Sequence, residues 1–326
     1  MTEVRLIPPL LQAIYGDSFT HKIFYDTKKL TKMILAERGS FFLAIETQSG
    51  QAVGILGLFF DGQERLSLEI CLLAINAAIA SPESGVILKK MMQAVRSKLM
   101  ALSKQFSLRT FYTYGTTTHQ LIQSLCEMMG FRLTGILQGH IAAWAEQLKH
   151  SPVHERQSDL VYVYQVKSNA KPYPLFLPER YADLITRIYQ RLGSPAFFLK
   201  VGVAKSLGIQ PKKTLFKLEH RFQVKLGVLE VIAVGQNFLE DMRRAMHRAL
   251  SLDLEIIHFF LSLEQSEIHF AVEALVTLGA CFAAVIPFYR QSDVLIMQYV
   301  KNPMPDFAST VFTDSIDQAI YFTAMR

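Results

Sequence analysis

Residues 109–137, RTFYTYGTTTHQLIQSLCEMMGFRLTGIL, decide the fold. Arg109 to Tyr114 reads as a strand, Thr118 to Met129 as a helix ended by Gly130, and Leu133 to Leu137 as another strand. Strand, helix and strand in such close succession predict a sheet covered by helices. Working outward, residues 85 to 104 place Val86, Leu88, Met91, Met92, Val95, Leu99 and Leu102 on one helical face, with Lys89, Lys90, Arg96, Lys98 and Lys104 between them. Before that, Leu66 to Ile75 reads as a buried strand, and Phe41 to Glu46 with Val53 to Phe60 as a β-hairpin around Ser49-Gly50. The pattern is that of an α/β protein with an α+β mixed sheet.

Lys149 to Ser158 turns polar, and there we read a linker between two domains, residues 1–150 and 156–326. The second domain shows a strand from Asp159 to Lys167, a helix from Pro178 to Leu192, a hairpin within Thr214 to Val234 and a helix from Asn237 to Leu252. Glu255 to Leu263, Glu267 to Leu278, Cys281 to Pro287 and Asp293 to Val300 continue it as strand, helix, strand, strand. The halves read as degenerate copies. Tyr15 precedes Phe42 by the same interval as Tyr189 precedes Phe216, and Gly130-Phe131-Arg132-Leu133-Thr134-Gly135-Ile136-Leu137 parallels Gly279-Ala280-Cys281-Phe282-Ala283-Ala284-Val285-Ile286.

Composition narrows the classes. Of 326 residues 50% are hydrophobic, enough to build two cores, and the charge of +6 suits an anionic partner without choosing one. Cys71, Cys126 and Cys281 stand apart with no zinc spacing, so neither disulfides nor a structural metal are expected. No signal peptide or membrane-length apolar run is read, which predicts a soluble, cytoplasmic protein with no membrane partner. Arg243, Arg244, His247 and Arg248 form the outer face of an amphipathic helix, and nucleic acid is not the expected partner.

The segment Thr116 to Phe131, with His119 at the polar end of a strand and Gly130-Phe131 in register after the helix, resembles the GNAT superfamily of acyl-CoA N-acyltransferases. Ile14-Tyr15-Gly16-Asp17-Ser18-Phe19, Tyr25-Asp26, and the closing Gly279 to Pro287 with Asp293-Val294-Leu295 and Gln298-Tyr299 resemble a tandem bacterial branch of it, with a degenerate second copy. The resemblance implies two tandem acyltransferase-like domains, each with central strands that splay to admit the pantetheine arm of acyl-CoA. It also implies acetyl-CoA as acyl donor, an amine acceptor, no metal, and direct attack of the amine on the thioester.

Each implied role meets particular residues. Pyrophosphate would lie at a helix N-terminus, here the main chain of Ser84, Gly85 and Val86; Ala80 and Glu83 stand where a basic residue and a glycine are usual, and an ordinary helix cap reads equally well. Glu69, among Leu68, Ile70 and Cys71, is the candidate base if burial raises its pKa, and a salt-bridged structural carboxylate otherwise. Cys126 holds the position of the usual tyrosine acid, as a proton donor or as a packed thiol. His119 and Gln123 could wall the cofactor site, and Tyr112 and Tyr114 present hydroxyls to the substrate from one strand face, or pack as core. The second half has Ala233-Val234-Gly235-Gln236-Asn237 before its helix and Leu275 at the acid position, which predicts no catalysis there and leaves it to shape an acceptor groove or mediate dimerisation. Two functions therefore stand open: an N-acetyltransferase in the first half, or a catalytically degenerate fold that binds acyl-CoA or a protein partner without turnover.

Overall fold

The computed structural model of the protein describes residues 2–19, 21–61, 64–76, 84–117, 120–142, 156–166, 171–199, 213–302, 312 and 314–325. Before the expected hairpin lie two helices, α1 (Ile7–Tyr15) and α2 (Thr27–Leu35). Pro8 sits in the first turn of α1, where a missing N–H is no loss, and Ile7, Leu10, Leu11 and Ile14 form its buried stripe. The first half continues as β1 (Gly39–Ile45), β2 (Ala52–Asp61), β3 (Ser67–Ile75), α3 (Ser84–Gln105), β4 (Thr110–Thr116), α4 (Gln120–Met128), β5 (Arg132–Ile141) and β6 (Gln157–Gln165). There follow β7 (Tyr173–Phe176), α5 (Ala182–Leu192), β8 (Ala196–Leu199), β9 (Leu215–Arg221), β10 (Leu226–Ala233), α6 (Phe238–Ser251), β11 (Ile256–Ser262), α7 (Ile268–Thr277), β12 (Cys281–Tyr289), β13 (Ser292–Val300) and α8 (Ser315–Ala324).

One mixed sheet of eleven strands runs through both halves in the order β1-β2-β3-β4-β6-β5-β12-β13-β11-β10-β9, with β7 and β8 paired separately. The strand expected to open the second domain, β6, pairs antiparallel with β4 on one side and β5 on the other. Its apolar run Leu160 to Val163 is wholly buried there, which a central strand requires.

The same order recurs on the other side of the β5–β12 seam: β3-β4-β6-β5 corresponds to β10-β11-β13-β12, parallel and antiparallel pairings included. Individual bonds recur too. Gly130 and Gly279 both have positive φ, 88° and 85°, as does the pair Gly139 and Phe288, each 57°. Phe131 N donates to Cys126 O as Ala280 N does to Leu275 O, and Gly139 N to Ser158 Oγ as Phe288 N does to Asp293 Oδ1. Gly135 and Ala284, matched positions of the two motifs, face each other across the seam, so a local pseudo-twofold axis passes between them. A Cβ on Gly135 would land on the backbone of Ala283 and Ala284, which is why glycine stands there. One landmark shifts: Phe216 lies on β9, which matches β2 by its place beside β10, so Phe216 does not correspond to Phe42 of β1.

Helices α3 to α8 contribute to the main core with one face of the sheet, while α1 and α2 cover the opposite face at β1 and β2. At the centre of that second face lie Tyr112, Leu137, Val161, Val163, Ala284 and Ile296. Tyr112 of β4 touches Tyr289 of β12, ring centroids 5.7 Å apart, although β6 and β5 separate their strands. Flat strands at about 4.8 Å spacing would hold these residues well apart, so the sheet curls and this face is concave.

Candidate active site

The parallel strands β3 and β4 pair from Ser67/Thr110 to Ile70/Thr113 and then stop, although β3 runs on to Ile75 and β4 to Thr116. A bulge explains the parting. Against β2, the register passes from Gly57–Cys71 to Ile55–Ala74, one extra residue on β3, and Leu72 there takes a left-handed φ of 57°. In the second half the matching strands β10 and β11 stay paired from Leu226/Ile256 through Val231/Leu261.

Glu69 sits one residue before the last pair, registered against Tyr112, so both side chains share the concave face. The Tyr112 hydroxyl donates to Glu69 Oε2 at 3.4 Å, from a ring that is 1% exposed. Tyr114 lies two residues along the same strand face, its ring 5.8 Å from Tyr112 and 5.9 Å from His140. The structure thus brings together Glu69, Tyr112 and Tyr114. It adds residues that sequence reading missed: His140, whose Nδ1 lies 2.7 Å from Asp159 Oδ2, and beyond it Tyr289 and His258. No local pattern marks these, because they converge only when β5, β6, β11 and β12 take their places in one sheet.

The other expected residues lie apart from that group. Gln123 is buried and donates from Nε2 to the carbonyls of Thr117 and Thr116, at 3.1 and 3.4 Å, tying α4 to the end of β4. Cys126 belongs to the core on the helix side with Phe111 and Tyr162; since Phe111 and Tyr112 alternate on β4, that is the face opposite Glu69. Burial, and then the nearby Glu127, push its thiol up to about 12, which suits a packed thiol and not a proton donor. His119 lies outside the described residues.

The start of α3 follows β3 after residues 77–83, which are also outside the described residues. Gly85 and Val86 are exposed there, and a Cβ on Gly85 would meet nothing within 4 Å. No acidic residue stands in the helix's first turn, and Lys89 and Lys90 are exposed one turn on. The first N–H groups of a helix lack partners within it, so a start at which Gly85 and Val86 are exposed suits a polyanion such as the pyrophosphate of acyl-CoA. The matching end of α6 does not. Thr214 Oγ1 accepts from Gly235 N, Asp241 accepts from Thr214 N, a Cβ on Gly235 would strike the backbone of Lys213 and Thr214, and Glu240 and Asp241 put carboxylates in the first turn.

Among the described residues no group of three or more His, Cys, Asp or Glu could hold a metal ion, and no helix is long and apolar enough to cross a membrane.

No protein-family model and no curated protein sequence matches the chain. Solved structures similar to it include the ribosomal-protein-S5-alanine acetyltransferase of Vibrio fischeri, at 8% identity and TM-score 0.38 over 50% of this chain and 88% of that one. The aminoglycoside 6'-N-acetyltransferase of Enterococcus faecium matches at 12% identity and TM-score 0.35, over 52% and 94%. An aminoglycoside 6'-N-acetyltransferase complexed with coenzyme A matches at 11% identity and TM-score 0.35, over 52% and 94%. Half of the chain resembles acetyltransferases. A putative acetyltransferase of the GNAT family from Desulfovibrio desulfuricans is also similar, at 13% identity and TM-score 0.33 over 51% of this chain and 94% of that one. Strand order and bulge, and not the overlays, carry the fold: a mixed α/β sheet parted between β3 and β4.

Proposed function

We propose that the first half is an acetyl-CoA-dependent N-acetyltransferase acting on an amine. The observation that carries the reading is the parting of β3 and β4 beyond Ile70 and Thr113, with Glu69 at its root and the exposed Gly85 and Val86 at the start of α3 beyond the end of β3. In this reading the main chain of Ser84, Gly85 and Val86 holds the pyrophosphate, and acyl-CoA, when bound, supplies an activated acyl group. Glu69 would take the proton from the acceptor's ammonium, freeing the lone pair for attack on the thioester carbonyl; the C–N bond forms as the C–S bond breaks, and CoA leaves as a thiolate that takes its proton from solvent. The Tyr112 hydroxyl holds one carboxylate oxygen of Glu69. The second half has a covered helix end and serves as the far wall of the acceptor groove, so that two acyltransferase-like units share one sheet and one of them reacts.

The rival reading, a degenerate fold that binds acyl-CoA without turnover, is favoured by one observation: the thiol at the usual acid position is buried in the helix-side core. Calorimetric titration with acetyl-CoA and CoA, followed by thiol release over a panel of amines, separates the two. Transfer supports the first reading and binding without release the second; no binding sinks both. With turnover in hand, Glu69→Gln is expected to lower kcat by about 100-fold or more while sparing acetyl-CoA affinity. Unchanged turnover removes Glu69 from its role.

A further inference from the structure

The concave face carries a second set of polar side chains that the proposed chemistry does not use. His140, near the end of β5, is held by Asp159, and its ring stands 5.5 Å from that of His258 on β11. His258 is 2% exposed, and its Nε2 is buried with no hydrogen-bond partner among the described residues. A buried imidazole nitrogen left unmet is costly, so a chain that keeps one there points to a group arriving from outside. His258 registers with Val228, and Val228 with Glu219, which puts Arg221, two residues on along β9, on the same face.

His21 joins them from the loop between α1 and α2. It is exposed, yet crowding by protein is the largest cause lowering its pKa, followed by Arg221 and His140. Burial, then His140 and Arg221, likewise hold His258 well below its ordinary value, so it is neutral and can offer an N–H. The carboxylates beside this set are engaged, Asp159 with His140 and Glu219 with Arg221 at 2.8 Å.

The concave face therefore has two unlike ends. Glu69 lies at one; His140 lies two ring-to-ring steps from Tyr112, through Tyr114, and His258 one step further, with Arg221 on the same face. We propose that the acceptor is an amino carboxylate, its amine at Glu69 and its carboxylate at His258, His140 and Arg221. Only the amine end rests on the acetyltransferase reading. The half-buried Tyr114 between them favours an aliphatic chain separating the two charges, since such a chain packs on aromatic surface.

The test is calorimetric binding of 6-aminohexanoate and hexylamine to the full chain, which differ only in the carboxylate. The amino acid is expected to bind about tenfold tighter, and His258→Phe and the exposed, fold-neutral Arg221→Gln are each expected to erase most of that preference. Equal affinities, no binding of either, or a preference that survives Arg221→Gln overturns the proposal. If the preference holds and acetyl-CoA fails to bind, the carboxylate site stands and the transferase reading falls.

Discussion

Asp293 enters the sheet at the start of β13 with no solvent exposure, accepting from the Tyr189 hydroxyl at 2.6 Å, the Tyr173 hydroxyl at 3.0 Å and Phe288 N at 3.2 Å. Burial is the largest influence and pushes its carboxyl up from 3.8 to about 6, against the pull of those three donors. The folded chain thus binds this proton more tightly than the unfolded one. Asp293 therefore favours the folded state below about pH 4, and that advantage, at most about 3 kcal/mol, is lost as pH rises through about 6. Asp293→Asn is expected to flatten urea-unfolding stability between pH 4 and 7. An unaltered slope would assign the titration to another group. The matched position of the first half, Ser158, accepts the equivalent bond from Gly139 with a neutral hydroxyl, so the local backbone path does not require a carboxylate. Glu69 and Tyr112 carry a different lesson at this scale. Both were legible as candidates, because a carboxylate and alternating tyrosines on apolar strands are conspicuous, whereas His140 and His258 looked like single histidines until folding paired them.

Among the elements, the N-terminus of α3 differs from its counterpart α6 in having no acidic residue in its first turn, where α6 has Glu240 and Asp241. A helix start favours negative charge whether that charge comes from a side chain or a ligand, and the two compete. Gly85→Glu should accordingly leave thermal stability unchanged or slightly raised, since the new side chain enters open space. Acetyl-CoA affinity should fall about tenfold in the same variant, measured by calorimetry. Equal affinity would remove this helix end from the binding site. The elements most legible in the sequence were those with strong periodicity, such as β2, β3, α3 and β10 to β13, whose bounds the structure shifts by little. α1, α2, α8 and the short pair β7 and β8 went unread, being brief and given shape mainly by what they pack against.

At the scale of the molecule, the strand pairing that joins the two half-sheets is that of β5 with β12, and α8 lies across that join. Gln138 Nε2 and Cys281 Sγ both donate to Ala324 O, while Arg191 of α5 bonds Asp314, the buried Asp317 and Leu133 O. The halves should unfold together while the join is intact. Gly135→Val, with no room for a side chain at the axis, is expected to cost about 3 kcal/mol and to split one denaturant transition into two, followed by circular dichroism and tyrosine fluorescence. A single transition of unchanged midpoint would mean that the join contributes little. The amino-acid order alone determined the elements, the succession of strands and helices in each half, and the matched motifs after Gly130 and Gly279, because these depend on side-chain periodicity and turn residues within a short stretch. Only the tertiary structure decided that β6 lies between β4 and β5, that the halves share one sheet, and that Glu69, Tyr112, His140 and His258 lie on one face of it. Strand partners distant in sequence are selected by the burial of whole faces and by backbone hydrogen bonding, and no local pattern names them.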